Sequence, residues 1–70
     1  MKEVKKLIAK IDTLISKQEY RSVKLHGVTC SRSDLEMTKF LAESYELNGN
    51  FNGLNVWGAS KEIFDKLNIK

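Results

Sequence analysis

The segment from Leu35 to Leu47 constrains the fold most, because as a helix it has only one narrow polar face. At 100° per residue, four charged side chains crowd into about 80° of its circumference: Glu36, Lys39, Glu43 and Glu46. The rest of the circumference is largely apolar, so the helix must pack against more than one layer. We predict a buried central helix over residues 33–47, with Ser33 and Glu36 as a capping box and Asn48-Gly49 as its stop.

The first part of the chain has the periodicity of an amphipathic helix. Apolar residues recur at i, i+3, i+4 and i+7: Val4, Leu7, Ile8, Ile11, Leu14 and Ile15. The same projection places a row of lysines along one flank, which we call the lysine flank: Lys2, Lys6, Lys10 and Lys17. We predict a helix over residues 2–18.

Alternation of apolar and polar residues indicates two short strands. Val23 and Leu25 alternate with polar residues, and the phase shifts at Gly27, which suggests a bulge or bend within a strand over 21–30. Alternation also predicts a strand over 53–58. Ser60 is a good N-cap for a last helix over 60–67.

Seventy residues form one domain in the order α-β-α-β-α. The class is α+β, or small α/β if the two strands pair in parallel. Two strands alone leave both sheet edges open, and the central helix has more apolar surface than its neighbours need. We therefore predict a homodimer, formed through an edge strand or the first helix.

Composition excludes several classes of protein. One cysteine rules out an internal disulfide and a cysteine-cluster zinc site. The lone histidine has no partner at metal-ligand spacing, and the glycines match no phosphate-binding fingerprint. We expect no metal, no cofactor and no enzymatic activity. With no apolar run of transmembrane length and no secretory start, we expect no membrane association and a reducing, cytoplasmic location.

Cys30 is a candidate redox residue. The run from Val23 to Ser33, followed by a helix, resembles the strand, active site and helix of glutaredoxins and their monothiol relatives. Cys30-Ser31-Arg32-Ser33 would correspond to their C-x-x-S motif, and this resemblance implies thiol-redox chemistry at Cys30. A thiol at a helix N-terminus also gains thiolate character. A glutaredoxin-like fold needs a cis-proline facing the cysteine, however, and the chain contains no proline.

Charge is unevenly distributed along the chain. Residues 1–32 carry eight basic and three acidic side chains, a net +5, whereas residues 33–70 carry four and six, a net −2. If the two strands pair, a basic and aromatic surface for single-stranded nucleic acid could form on one face. Its residues would be Arg21, Lys24, His26 and Trp57.

The patterns together favour a small interaction module that acts by binding another protein, as an adaptor, regulator or inhibitor. Phe51 and Trp57 flank a turn-rich stretch and are the expected anchors of the partner. The lysine flank would steer that partner electrostatically. Nucleic-acid binding is the alternative function, and thiol-redox chemistry is the second alternative.

Overall fold

Three helices surround a two-stranded hairpin in the computed structural model, which describes residues 2–17 and 22–69. The elements are α1 (Lys2–Ser16), β1 (Val23–Leu25), β2 (Val28–Cys30), α2 (Arg32–Asn48) and α3 (Gly58–Lys66). The predicted α+β class is confirmed. The predicted order is wrong, because both strands precede the central helix and the order is α-β-β-α-α. The predicted end of the first helix at residue 18 lies outside the described residues.

The hairpin replaces the single bulged strand that we predicted over 21–30. β1 and β2 pair antiparallel, with Val23 opposite Cys30 and Leu25 opposite Val28. The two residues between the strands both have positive φ, 53° at His26 and 80° at Gly27. Positive φ at both central residues defines a type I′ turn, whose twist matches that of the flanking strands. The phase shift at Gly27 is therefore a chain reversal and not a bulge.

The predicted central helix is confirmed, but its cap differs. The Ser31 hydroxyl accepts a hydrogen bond from the Asp34 backbone N–H at 3.2 Å, and the Asp34 carboxylate accepts one from the Ser31 N–H at 3.0 Å. This capping box stands two residues before the one predicted at Ser33 and Glu36, because β2 ends at residue 30 and leads directly into the helix. Gly49 ends α2 in the left-handed conformation, as predicted.

The segment 53–58, predicted as a strand, contains no strand in the structure. A tight turn closes ahead of it, with the Leu54 N–H bonded to the Phe51 carbonyl at 3.0 Å and positive φ at Asn52 and Gly53. The chain then enters α3 two residues earlier than predicted. Trp57 is its N-cap residue without a side-chain hydrogen bond, and Ser60, predicted as the cap, is buried within the helix.

The core lies where α1, the hairpin and α3 meet α2, which contacts both other helices and β2. Asp12 near the end of α1 pairs with Lys39 of α2, the Nζ–Oδ1 distance being 2.5 Å, and Lys5 near the start of α1 lies beside Glu46 near the end of α2. The two helices therefore run antiparallel. The buried apolar residues come from every element: Val4, Leu7, Ile11, Leu25, Val28, Cys30, Leu35, Leu41, Ala42, Tyr45, Ile63, Phe64 and Ile69.

One buried polar contact fixes α3 against α2. The Thr38 hydroxyl lies 2.7 Å from the Asp34 carbonyl oxygen and 2.8 Å from the Ser60 hydroxyl. The Thr38 proton is donated to the carbonyl, so the Ser60 hydroxyl donates to Thr38. This pair sets the start of α3, and with it the position of Trp57.

Candidate interaction surfaces

The outward face of α2 carries large apolar side chains that the fold leaves in solvent. Phe40 is 57% exposed, Leu47 is 85% exposed and Met37 is 42% exposed. With Ser44 they follow the spacing i, i+3, i+7 and i+10, so they share one side of the helix. We call Met37, Phe40, Ser44 and Leu47 the α2 stripe. A shallow cavity of about 300 Å³ lies over it, lined also by Glu43 and Asn48.

The α2 stripe is bordered by acidic residues along one side. At 100° per residue, Glu36, Glu43 and Glu46 all project to the same side of the Phe40–Leu47 line. Two of these acids have basic neighbours, since Arg32 lies 3.6 Å from Glu36 and Lys5 lies beside Glu46. Lys39 pairs with Asp12, which leaves three acidic residues against two basic ones along this side of the stripe. The surface is therefore an apolar stripe with a negatively charged border.

The two predicted aromatic anchors differ in exposure. Trp57 is 67% exposed, so it is not part of the core and is free to contact a partner. Phe51 is half-buried, and its ring stacks between those of Tyr45 and Phe64, with centroids 4.9 Å from each. Phe51 therefore packs within the fold and presents little surface to a partner. Phe40 and Leu47 expose the larger apolar surfaces.

A second surface forms where α1, the hairpin turn and the end of α3 converge. A cavity of about 290 Å³ is lined by apolar Leu7 and Leu67 and by charged or titratable side chains. Those side chains are Glu3, Lys6, Lys10 and His26. Lys66 lies beside them, its Nζ donating a hydrogen bond to the His26 carbonyl at 3.2 Å. We call this cavity with its four basic residues, Lys6, Lys10, His26 and Lys66, the cationic cleft.

The positive charge of the cationic cleft affects the pKa of His26. Partial burial and the positive charges of Lys10 and Lys66 lower the pKa of its imidazole below the ordinary histidine value. The backbone also positions this side chain, because the type I′ turn holds His26 in the left-handed conformation at the tip of the hairpin. The imidazole is therefore neutral at pH 7 in a positively charged surrounding.

The structure joins residues that the sequence analysis assigned to different surfaces. Lys6 and Lys10 of the lysine flank meet His26, which was predicted to lie in the nucleic-acid-binding face. Lys66 and Leu67 were not predicted at all, since only tertiary packing brings α3 to the hairpin turn. Lys2 at the start of α1 and Lys17 just after its end are exposed but do not line the cleft.

The predicted nucleic-acid-binding face is not brought together by strand pairing in residues 22–69. It required the segment 53–58 to pair with the first strand, whereas Trp57 stands at the start of α3 and His26 contacts Lys66 at its end. A helix of that length separates its ends by about 13 Å. Lys24 is exposed on β1, and Arg21 lies outside the described residues.

Cys30 does not have the surroundings of a reactive thiol. Its side chain is fully buried, and its Sγ–H points to the Val28 carbonyl at 3.5 Å. Burial is the main cause of a raised pKa of the Cys30 thiol, and the negative charges of Asp34 and Glu62 add to it. These factors oppose the thiolate that redox chemistry at Cys30 requires.

The described residues contain no group of three or more His, Cys, Asp or Glu side chains placed to hold a metal ion. Nor does this part of the chain include a helix with the length and apolar character needed to cross a membrane. Comparisons with protein families, curated proteins and solved structures found no match to the chain. The function is therefore argued from the two surfaces.

Proposed function

We propose that this protein is a non-enzymatic interaction module whose α2 stripe binds an amphipathic, basic helix of another protein. The observation that carries the proposal is the exposure of Phe40 and Leu47 on a helix whose opposite face is the core. Helix-in-groove recognition uses apolar side chains at this helical spacing, and aromatic residues are common binding anchors.

The charge of the border favours a basic partner. Glu43 and Glu46 lie beside the stripe, and lysines or arginines flanking an apolar helix face would complement them. A second copy of α2 laid on the stripe would instead bring acidic borders together. A second copy of the chain is thus the competing occupant of the stripe, although the homodimer predicted from the sequence is expected to form through an edge strand or the first helix. Trp57, the exposed N-cap residue of α3, is a separate candidate contact for a partner.

The test uses two synthetic 14-residue helical peptides with the same leucine spacing, one with lysine and one with glutamate at its polar positions. Calorimetric titration should show binding of the leucine–lysine peptide. Phe40→Ser with Leu47→Ser should weaken that binding by about tenfold or more, since each truncated anchor costs at least about 1 kcal/mol. Leu54→Ser is the matched control, because Leu54 is exposed but lies off α2, and it should change the affinity by less than about twofold.

Two outcomes would contradict the proposal. Equal binding of the glutamate peptide would show that the acidic border selects nothing. Sedimentation showing a dimer that dissociates when Phe40 and Leu47 are replaced would assign the stripe to a second copy of the chain. Circular dichroism of each variant shows whether the fold is retained.

A further inference from the structure

We propose that the cationic cleft is a separate binding site, which takes an acidic peptide segment by pairing its carboxylates with Lys6, Lys10 and Lys66 around an apolar side chain. This site is independent of the α2 stripe, because α1, α3 and the hairpin form it.

The positions of the cationic groups are set by the fold. Lys6 and Lys10 are one helical turn apart on α1, and Leu7 between them is buried, which fixes the rotation of the helix. Lys66 is held at the rim by its hydrogen bond to the His26 carbonyl. Lys6 and Lys10 therefore line the cavity from α1, and the Lys66 ammonium group is already held beside it, which reduces the cost of ordering Lys66 on binding.

The cleft carries excess positive charge. Glu3 is the one acidic residue that lines it among the described residues, against Lys6 and Lys10 in the lining and Lys66 beside it. Like charges at i and i+4 on a helix repel each other, and a bound anion relieves this repulsion. Burial is the main cause of the lowered pKa of His26, and the positive charges of Lys10 and Lys66 add to it.

Size and lining favour a peptide over nucleic acid. A volume of about 290 Å³ lies at the lower limit of small-molecule pockets, so it fits one or two side chains. Leu67, which is half-buried, gives the cleft an apolar wall suited to an aliphatic side chain between carboxylates, with Leu7 buried behind it. Within residues 2–17 and 22–69, no Trp, Tyr or Phe lines it, so it lacks the usual stacking platform for nucleobases.

The test is an NMR titration of the full chain with the blocked peptide acetyl-Glu-Glu-Leu-Glu-Glu-amide. His26 is the one histidine of the sequence, so its imidazole gives a single reporter signal. The peptide should shift that signal and raise the pKa of His26. It should also bind more tightly as the pH falls from 7 to 5.5, because a protonated imidazole adds a positive charge. The charged groups that face His26 are Glu3, Lys6 and Lys10 from α1 and Lys66 from α3.

Two double variants separate a local site from general attraction. Lys6→Gln with Lys10→Gln should weaken peptide binding by about tenfold. Lys5→Gln with Lys17→Gln removes the same charge from α1 and the residue that follows it, at positions that do not line the cleft, and should change peptide binding by less than about twofold. Replacement of Phe40 and Leu47 by serine should leave peptide binding unchanged, which distinguishes this site from the α2 stripe.

Three results would overturn the proposal. Equal losses in the two double variants would show attraction to net charge alone. Tighter binding of an eight-residue oligothymidylate at the same ionic strength would make the cleft a nucleic-acid site. The same shifts of the His26 signal with inorganic phosphate at the same concentration would show that the cleft does not select the peptide.

Discussion

Replacing Thr38 by valine tests the buried polar contact between α2 and α3. The Ser60 hydroxyl donates its proton to Thr38, and both side chains are essentially inaccessible, at 0% and 2% exposure. Valine keeps the shape but removes the acceptor, leaving the Ser60 hydroxyl buried without a partner. A buried group left unpaired costs about 1–3 kcal/mol, so Thr38→Val should lower the free energy of unfolding by about 2 kcal/mol.

The reverse deletion should cost less. In Ser60→Ala the Thr38 hydroxyl keeps its bond to the Asp34 carbonyl, so about 1 kcal/mol is lost. The double variant removes both hydroxyls, so neither is left buried without a partner. Its free energy of unfolding should also fall by only about 1 kcal/mol. The two changes are therefore non-additive, with a coupling of about 2 kcal/mol, as expected of side chains in direct contact.

Urea unfolding followed by circular dichroism at 222 nm measures these differences, provided the m-value is unchanged. Thr13→Val is the matched control, because Thr13 makes the same hydrogen bond to the carbonyl four residues earlier, but on an exposed face. Water replaces that bond, so the control should stay within about 0.5 kcal/mol of wild type. Additive effects of Thr38→Val and Ser60→Ala would refute the hydrogen bond between the two side chains, and a larger loss in Ser60→Ala than in Thr38→Val would refute the assigned donor and acceptor.

Three further predictions concern the hairpin and its surroundings. Gly27→Ala should cost about 1–2 kcal/mol in urea unfolding, because φ is +80° and the new Cβ would stand 3.1 Å from the Lys66 Nζ. Lys10→Gln should raise the pKa of His26, measured by NMR, because it removes one of the charges that lower it. Cys30 should react with a disulfide reagent far more slowly in the native protein than in urea, because the thiol is buried and its pKa is raised.

Each of these predictions has its own control. His26→Asn should keep the stability of the turn, since Asn-Gly is a preferred type I′ pair, and a Gly27→Ala protein as stable as wild type would contradict the turn assignment. Lys17→Gln should leave the pKa of His26 unchanged. Native Cys30 reacting as fast as the unfolded thiol would restore the redox alternative.

The lowered pKa of His26 also gives stability a pH dependence of known sign. The folded protein binds the imidazole proton less tightly than the unfolded chain does. Stability is therefore retained above the unfolded histidine pKa of about 6.5 and decreases as the pH falls through it towards the folded value. Cys30 affects stability at alkaline pH. Its raised pKa lowers stability as the pH rises past the ordinary cysteine pKa, where the unfolded thiol ionises first.

Local sequence patterns predicted the helices well, because each buries apolar residues at helical spacing. The errors arose where two signals of equal strength competed. Ser31 and Ser33 are each followed three residues later by an acidic residue, and the end of β2 decides between them. Val23, Leu25, Val28 and Cys30 are placed symmetrically about His26-Gly27, which is the pattern of a hairpin. The sequence shows that symmetry, so the hairpin could have been predicted from it.

The candidate surfaces were less predictable than the helices. The excess apolar character of the central helix was visible in the sequence, but its projection did not show which apolar side chains the neighbouring elements would cover. The cationic cleft depends on α3 returning to the hairpin turn, a contact between residues 40 positions apart. The strand predicted over 53–58 failed because β1 and β2 pair with each other in the described chain.

The most direct test of the α2 stripe as the partner-binding face is an amide chemical-shift map of the uniformly labelled protein titrated with the leucine–lysine peptide. We predict the largest chemical-shift changes at the amides of Met37, Phe40, Ser44 and Leu47, with small changes in the buried face of α2. Changes concentrated at the cationic cleft, or spread evenly over the surface, would contradict it.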